Sequence, residues 1–154
     1  MRPIRARDQA FLYQVYAGTR TEELALLPWD EAEKAAFLRM QFDAQHKYYT
    51  EQFPDARFDV VLDRGRRIGR LYVDRRAGEI RIIDIALLPE RRGNGIGGML
   101  MQELLDEAAA AGKPVRIHVE KFNRALGLYQ RLGFSQIEDQ GVYLLMEWLP
   151  PGKQ

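Results

Sequence analysis

Four glycines and two arginines stand within ten residues in Pro89-Glu90-Arg91-Arg92-Gly93-Asn94-Gly95-Ile96-Gly97-Gly98. Ordered glycine costs backbone entropy, so such a cluster implies a geometric or ligand-driven cause. A helix that starts directly after a glycine-rich turn presents free backbone N–H groups and the positive end of its dipole, which together bind an anion without any side chain. Arg91 and Arg92 add positive charge beside it, and phosphate is the anion that this chemistry suits. Gly93-x-Gly95-x-x-Gly98 also fits the dinucleotide fingerprint, with Glu120 near the place of an acidic ribose partner. Against a Rossmann-type NAD(P) site, Pro89 to Arg92 separate the strand from the glycines, and the 34 residues after Glu120 are too few for further parallel βαβ units. A Walker loop fails because no Gly-Lys-Ser/Thr follows the glycines.

The elements that must position this stretch can be read from periodicity. "RPIRARD" reads as a short first strand, and Asp8 as the N-cap of a helix through about Ala17. Asp30 caps a second helix, with Glu33 at capping-box spacing and Ala36, Phe37, Met40, Phe42 and Ala44 as its apolar stripe. From Phe58 the period becomes that of strands, giving runs at about 57–63, 67–74 and 78–88 separated by turns at Arg64-Gly65-Arg66 and Arg76-Ala77-Gly78. After the glycines, Ile96, Met99, Leu100, Leu104, Leu105 and Ala108 mark the apolar face of a helix that Gly112 and Pro114 end. "VRIHVE" alternates as a strand, with Arg116, His118 and Glu120 on one face. A helix over about 123–132 and two strands at about 134–139 and 142–149 close the chain. The expectation is an α/β (α+β) fold on a mostly antiparallel sheet, with "PPGKQ" as a frayed tail.

Two separated stretches resemble one known family. Arg92-Gly93-Asn94-Gly95-Ile96-Gly97, preceded by "ALLP", is similar to the Arg-x-x-Gly-x-Gly/Ala acyl-coenzyme A loop of the GCN5-related N-acetyltransferases (GNAT). "HVEKFNRALGLYQRLGF" resembles that family's later signature, an Asn followed six residues on by a Tyr, with Gly-Phe closing the helix. The resemblance covers about Arg66 to Glu147. It implies a single domain over 1–154, whose central sheet is splayed between its fourth and fifth strands and has helices on both faces. It implies acetyl-coenzyme A as co-substrate, held through its pyrophosphate by Arg92, Gly93, Asn94, Gly95, Ile96, Gly97 and Gly98. Its pantetheine arm would lie along Ile85, Leu87 and Leu88 as an extra pseudo-strand, with Asn123 on the far side. Tyr129 would reach the thioester sulfur and act as general acid, a task suited to a phenol of pKa ~10.

The acceptor amine must lose a proton, which calls for a base near the splay. His118, five residues before Asn123, is the leading candidate, with Glu120 on its strand face and Asp84 on the neighbouring strand as alternatives. Acceptor recognition falls to elements before the loop. Gln45 and Tyr49 share a helix face, Gln41 and Tyr48 lie within two turns of them, and Trp29 and Phe42 supply an aromatic wall for a small-molecule or peptide amine. The absence of a dense acidic cluster disfavours polycationic acceptors. The same loop would also serve an acyl-coenzyme A-binding sensor without turnover, which needs Asn123 but neither Tyr129 nor a base.

Composition bounds these readings. In 154 residues, 23 basic side chains nearly match 22 acidic ones, so no polyanionic partner is called for. Arg64, Arg66, Arg67, Arg70, Arg75, Arg76 and Arg81 are divided between strand faces with no aromatic platform, and nucleic acid is not expected. The chain has no cysteine, which removes thiol nucleophiles and thiolate metal sites; no metal is expected. No apolar run suits a signal peptide or a membrane span, and a cytoplasmic protein is expected. The strand edges of the C-terminal hairpin are where a homodimer would form.

Overall fold

The computed structural model describes residues 1–152; Lys153 and Gln154, the end of the expected tail, lie outside the described residues. Among the described residues, seven strands and four α-helices follow one another as β1 (Arg2–Pro3), α1 (Gln9–Ala25), α2 (Glu31–Gln52), β2 (Arg57–Asp63), β3 (Arg66–Arg75), β4 (Ile80–Leu87), α3 (Ile96–Ala111), β5 (Val115–Glu120), α4 (Leu126–Arg131), β6 (Ser135–Asp139) and β7 (Tyr143–Trp148). The strands form one sheet in the order β1-β2-β3-β4-β5-β7-β6. β1 pairs antiparallel with β2, and β7 lies antiparallel to both β5 and β6. β4 and β5 are parallel. Their pairing runs from Ile80↔Val115 to Ile82↔Ile117, while β4 continues to Leu87 and β5 to Glu120. This is the mixed α/β, mostly antiparallel sheet expected, with the expected divergence between the fourth and fifth strands. Among the described residues, no helix is long and apolar enough to cross a membrane.

Contacts divide the chain into two compact units, and the division falls inside β3 and β4. The first comprises Met1–Tyr72 with Asp84–Arg92. Its core gathers Phe11, Leu12, Val15 and Tyr16 of α1, Leu38 and Phe42 of α2, and Val60 of β2. The second comprises Val73–Ile83 and the chain from Gly93 onward. It buries Leu100, Met101, Leu104, Leu105 and Ala108 of α3 and Val115, Ile117 and Val119 of β5. Met101 is thus the inward residue where Met99 was expected; Met99 is 57% exposed.

Expectations for both α1 and α2 change for physical reasons. Asp8 makes no side-chain cap to α1. It is fully buried, and its carboxylate accepts from Arg2 at 2.7 and 2.9 Å, from the Arg5 backbone N–H at 2.8 Å and from Arg67 at 3.2 Å. The Arg2 bonds, with smaller contributions from Arg5 and Arg67, hold it well below the usual carboxylate range despite the opposing cost of burial. Gly18 does not end α1, which continues to Ala25. A Cβ at Gly18 would stand 2.9 Å from the Pro89 ring, so the missing side chain is what lets the helix pass against the segment that follows β4. In α2, Asp30 caps as expected, accepting from the Glu33 N–H at 2.8 Å. The inward stripe, however, runs through Leu38, Phe42, Gln45 and Tyr49 (i, i+4, i+7, i+11), and Met40 is 62% exposed.

Candidate active site

In the first unit, the end of β4 and the start of the glycine loop are fixed by close backbone packing. The Leu88 N–H donates to the Ile68 carbonyl at 2.8 Å. At Gly69, one residue along β3, a Cβ would collide with the Ala86 carbonyl oxygen and stand 2.8 Å from Leu87 Cδ2. β4 can lie this close to β3 because residue 69 has no side chain. Pro89–Arg91 then form a single 3-10 turn, and Arg92 Nη2 donates to the Gly18 carbonyl of α1 at 3.1 Å. Ile85, Leu87 and Leu88 are half-buried.

The same unit holds a buried polar cluster that the sequence revealed only in part. Asp84 and Arg70 form an ion pair at 2.5 Å, with side chains 16% and 3% exposed. Arg70 Nη2 also donates to Gln45 Oε1 at 3.0 Å, and the Tyr49 hydroxyl donates to Asp84 Oδ2 at 3.3 Å. The guanidinium lies 5.2 Å from the Tyr72 ring centroid and 6.0 Å from that of Tyr16. Burial opposes its charge, but Asp84, Tyr72 and Tyr49 more than offset this, and its pKa is raised. Burial pushes the Tyr72 phenol up to about 12, so it stays protonated. Thus Gln45, Tyr49 and Asp84, three of the expected site residues, meet around Arg70. Sequence reading missed Arg70, although a signal exists: it shares a strand face with Ile68 and Tyr72, and Asp84 breaks an apolar run. A charge at each of two inward positions calls for a partner.

The aromatic wall expected for the acceptor is not formed by Phe42. That ring is 2% exposed and packs against Tyr13 and Tyr16 at centroid distances of 5.7 and 6.0 Å, because its helix position faces the core. Trp29 is 36% exposed and meets Phe37 edge-on at 5.1 Å.

In the second unit, two of the loop glycines take a backbone conformation that favours glycine. Gly93 and Gly95 are left-handed, with φ of 80° and 79°. α3 starts at Ile96 with no side-chain cap, so its first N–H groups are left for another acceptor. Beyond the neighbouring residues of the chain itself, no atom lies within 4 Å of an ideal Cβ at Gly93, Gly95 or Gly97. Asn94 is exposed, and Ile96 and Gly98 are half-buried.

On β5, His118 lies in register with Leu145 and Glu120 with Tyr143. Arg81 Nη1 donates to His118 Nδ1 at 3.2 Å. Burial first, and then the Arg81 charge, lower the His118 pKa, so the ring is neutral at pH 7. Glu120 is half-buried, and its carbonyl accepts from the Asn123 N–H at 2.9 Å. Asn123 precedes α4 rather than lying in it: its Oδ1 accepts from the Ala125 N–H at 2.7 Å and closes the entering turn. Tyr129 is 4% exposed, and its ring packs against Phe134 at 5.8 Å. Among the described residues, no group of three or more His, Asp or Glu could hold a metal ion.

Comparisons with known proteins identify the family and the fold. Residues 20–134 match the family described as "Acetyltransferase (GNAT) family". Among solved structures, the chain is similar to the PaiA N-acetyltransferase of Thermoplasma acidophilum in complex with coenzyme A, with a TM-score of 0.72, 19% identity and 96% of each chain covered. It also resembles a Corynebacterium glutamicum protein described as histone acetyltransferase HPA2 and related acetyltransferase, with a TM-score of 0.66, 22% identity, and 99% of this chain and 96% of that chain covered. A third is the ribosomal-protein-S18-alanine N-acetyltransferase of Escherichia coli, with a TM-score of 0.63, 17% identity, and 96% and 91% covered. At these identities the likeness is one of fold.

Proposed function

The chain belongs to the GNAT acetyltransferase family, and from that premise we propose that it moves the acetyl group of acetyl-coenzyme A to a primary amine of a small molecule, amino acid or peptide. The observation that carries this reading is the segment from Arg92 to Gly98. Its left-handed Gly93 and Gly95, the open space around them and the uncapped start of α3 suit a pyrophosphate received on backbone N–H groups. Acetyl-coenzyme A, when bound, supplies a thioester carbonyl for an amine to attack, with a thiolate as leaving group. Ile85, Leu87 and Leu88 offer the β4 edge to the pantetheine arm. Asn123 has its side-chain oxygen engaged locally and offers the amide nitrogen.

Tyr129 gives its hydroxyl proton to the departing sulfur, while the new C–N bond replaces the C–S bond. Attack is direct in a ternary complex, since the chain has no cysteine to carry an acyl group. The base falls to Asp84 rather than His118. His118 Nδ1 already accepts from a guanidinium, whereas the Asp84 contacts with Arg70 and Tyr49 both use Oδ2, leaving Oδ1 to take the amine proton through water. Glu120 is the second carboxylate to compare. The pH–rate profiles of His118→Ala, Asp84→Asn and Glu120→Gln assign the role; a profile that loses its acidic limb in His118→Ala alone returns it to the histidine.

The test of the function is release of free thiol from acetyl-coenzyme A over a panel of amines, free amino acids and short peptides. Acceptor-dependent release supports catalysis. Coenzyme binding with no acceptor-dependent release across the panel would make the chain a sensor, and no coenzyme binding would sink the reading.

A further inference from the structure

Seven arginines crowd β3, its flanking turns and the start of β4, and in sequence they look like solvated strand faces. Five are engaged by carboxylates: Arg67 by Asp8 at 3.2 Å, Arg70 by Asp84 at 2.5 Å, Arg75 by Glu107 at 2.6 Å, Arg76 by Asp74 at 2.9 Å and Arg81 by Glu79 at 3.2 Å. Arg64 and Arg66 have no such partner among the described residues. Instead, both line a surface recess of about 380 Å³ whose other walls are Arg91 and Asp63, a volume within the ~300–1,000 Å³ of small-ligand sites. Arg91 is held there by its bond to Asp63 at 3.1 Å. Three guanidiniums against one carboxylate leave the recess with two positive charges.

The turn that presents them is unusual for its residue choice. Arg64 has φ 52° and Gly65 φ 79°, both left-handed, as a two-residue hairpin turn requires. The first position ordinarily takes Asn, Asp or Gly, and an arginine there gives up local backbone comfort. Arg91, in the wall of the recess, directly precedes Arg92, where the coenzyme loop begins. A nucleic acid would want an extended basic stripe with aromatic stacking, but the neighbouring arginines are neutralised. A compact dianion fits better: guanidinium forks match phosphate oxygens, and a phosphate monoester carries close to two negative charges at neutral pH.

Resting on the coenzyme reading above, we propose that Arg64, Arg66 and Arg91 form a subsite for a phosphate monoester, the 3′-phosphate on the ribose of coenzyme A. The β2–β3 turn then discriminates coenzyme A from its 3′-dephosphorylated form. Titration calorimetry of both compounds against the wild type and an Arg64→Asn/Arg66→Gln variant tests this without turnover. Asn accepts the left-handed backbone at 64, so the variant should fold, and binding of the dephosphorylated compound reports that it has. The wild type should bind coenzyme A about tenfold more tightly than the dephosphorylated compound, as expected for a few screened guanidinium–phosphate contacts. The variant should bind both alike, at the wild-type affinity for the dephosphorylated form. Equal binding of the two compounds by the wild type overturns the subsite alone, as does a variant that keeps the preference. Failure of both compounds to bind the wild type overturns the coenzyme reading and the subsite with it.

Discussion

Replacing Asp84 with Asn removes the countercharge of a guanidinium that is 3% exposed. Breaking a buried pair from one side costs ~3–5 kcal/mol, because the remaining charge is left without compensation. Two features place this protein at the lower end. Gln45 and the rings of Tyr72 and Tyr16 stay on the guanidinium, and 16% of the Asp84 side chain already meets solvent. The expected loss is therefore ~3 kcal/mol, a large share of the ~5–15 kcal/mol that holds a domain folded. For a chain of this size it corresponds to a fall in Tm of roughly 6–12 °C. Urea unfolding of Asp84→Asn, Arg70→Met and the double variant closes the cycle. The double should be less destabilised than the sum of the singles by roughly 1–3 kcal/mol, since it leaves no uncompensated charge. A loss below about 1 kcal/mol in Asp84→Asn, or strict additivity, would refute the coupling argued here.

Tyr129→Phe keeps the ring against Phe134 and deletes the proposed proton donor; kcat should fall roughly 100-fold or more with the KM for acetyl-coenzyme A little changed. A thioester of a more acidic thiol should recover part of that loss, and an unchanged kcat would remove Tyr129 from the chemistry. Gly69→Ala pushes a methyl into the Ala86 carbonyl and Leu87, so it should lower stability by ~1–3 kcal/mol and weaken coenzyme binding as the end of β4 is displaced. Coenzyme affinity matching wild type would show that the β3–β4 approach does not shape the site. Asp8 has a folded pKa well below its unfolded value of ~3.9, so its stabilisation is full above that value and is lost as pH falls through the folded one. Unfolding free energies measured from about pH 6 down to about pH 2 should decline less steeply in Asp8→Asn than in wild type.

Strands and the glycine loop were legible because their signals are local. Alternation marks β5, paired turn residues bound β2 and β3, and a run of glycines marks the point where α3 starts. What could not be read depends on contacts distant in sequence. Asp8 looks like a helix cap until Arg2 and Arg67 are seen to take its carboxylate. Gly18 looks like a helix end until the Pro89 ring fills the space of its side chain. Phe42 looks like a pocket aromatic because its spacing cannot say which side of α2 meets α1. Of the proposed site, Asp84, Gln45 and Tyr49 could be found singly as polar residues on structured elements. Their meeting at Arg70 could not, because it joins a helix and two strands, with Tyr49 and Asp84 35 positions apart in sequence.

The contact of α1 with the turn after β4 restricts how the sequence can drift. Pro89 occupies the room that a side chain at 18 would need, and Arg92 grips the carbonyl of that same residue. Positions 18 and 89 therefore behave as one heritable character: a Gly18→Ala change is tolerated only with a smaller residue at 89. Shuffling α1 among relatives would carry this constraint along, so a grafted first helix must bring a gap opposite residue 89 or displace the turn that leads into the glycine loop.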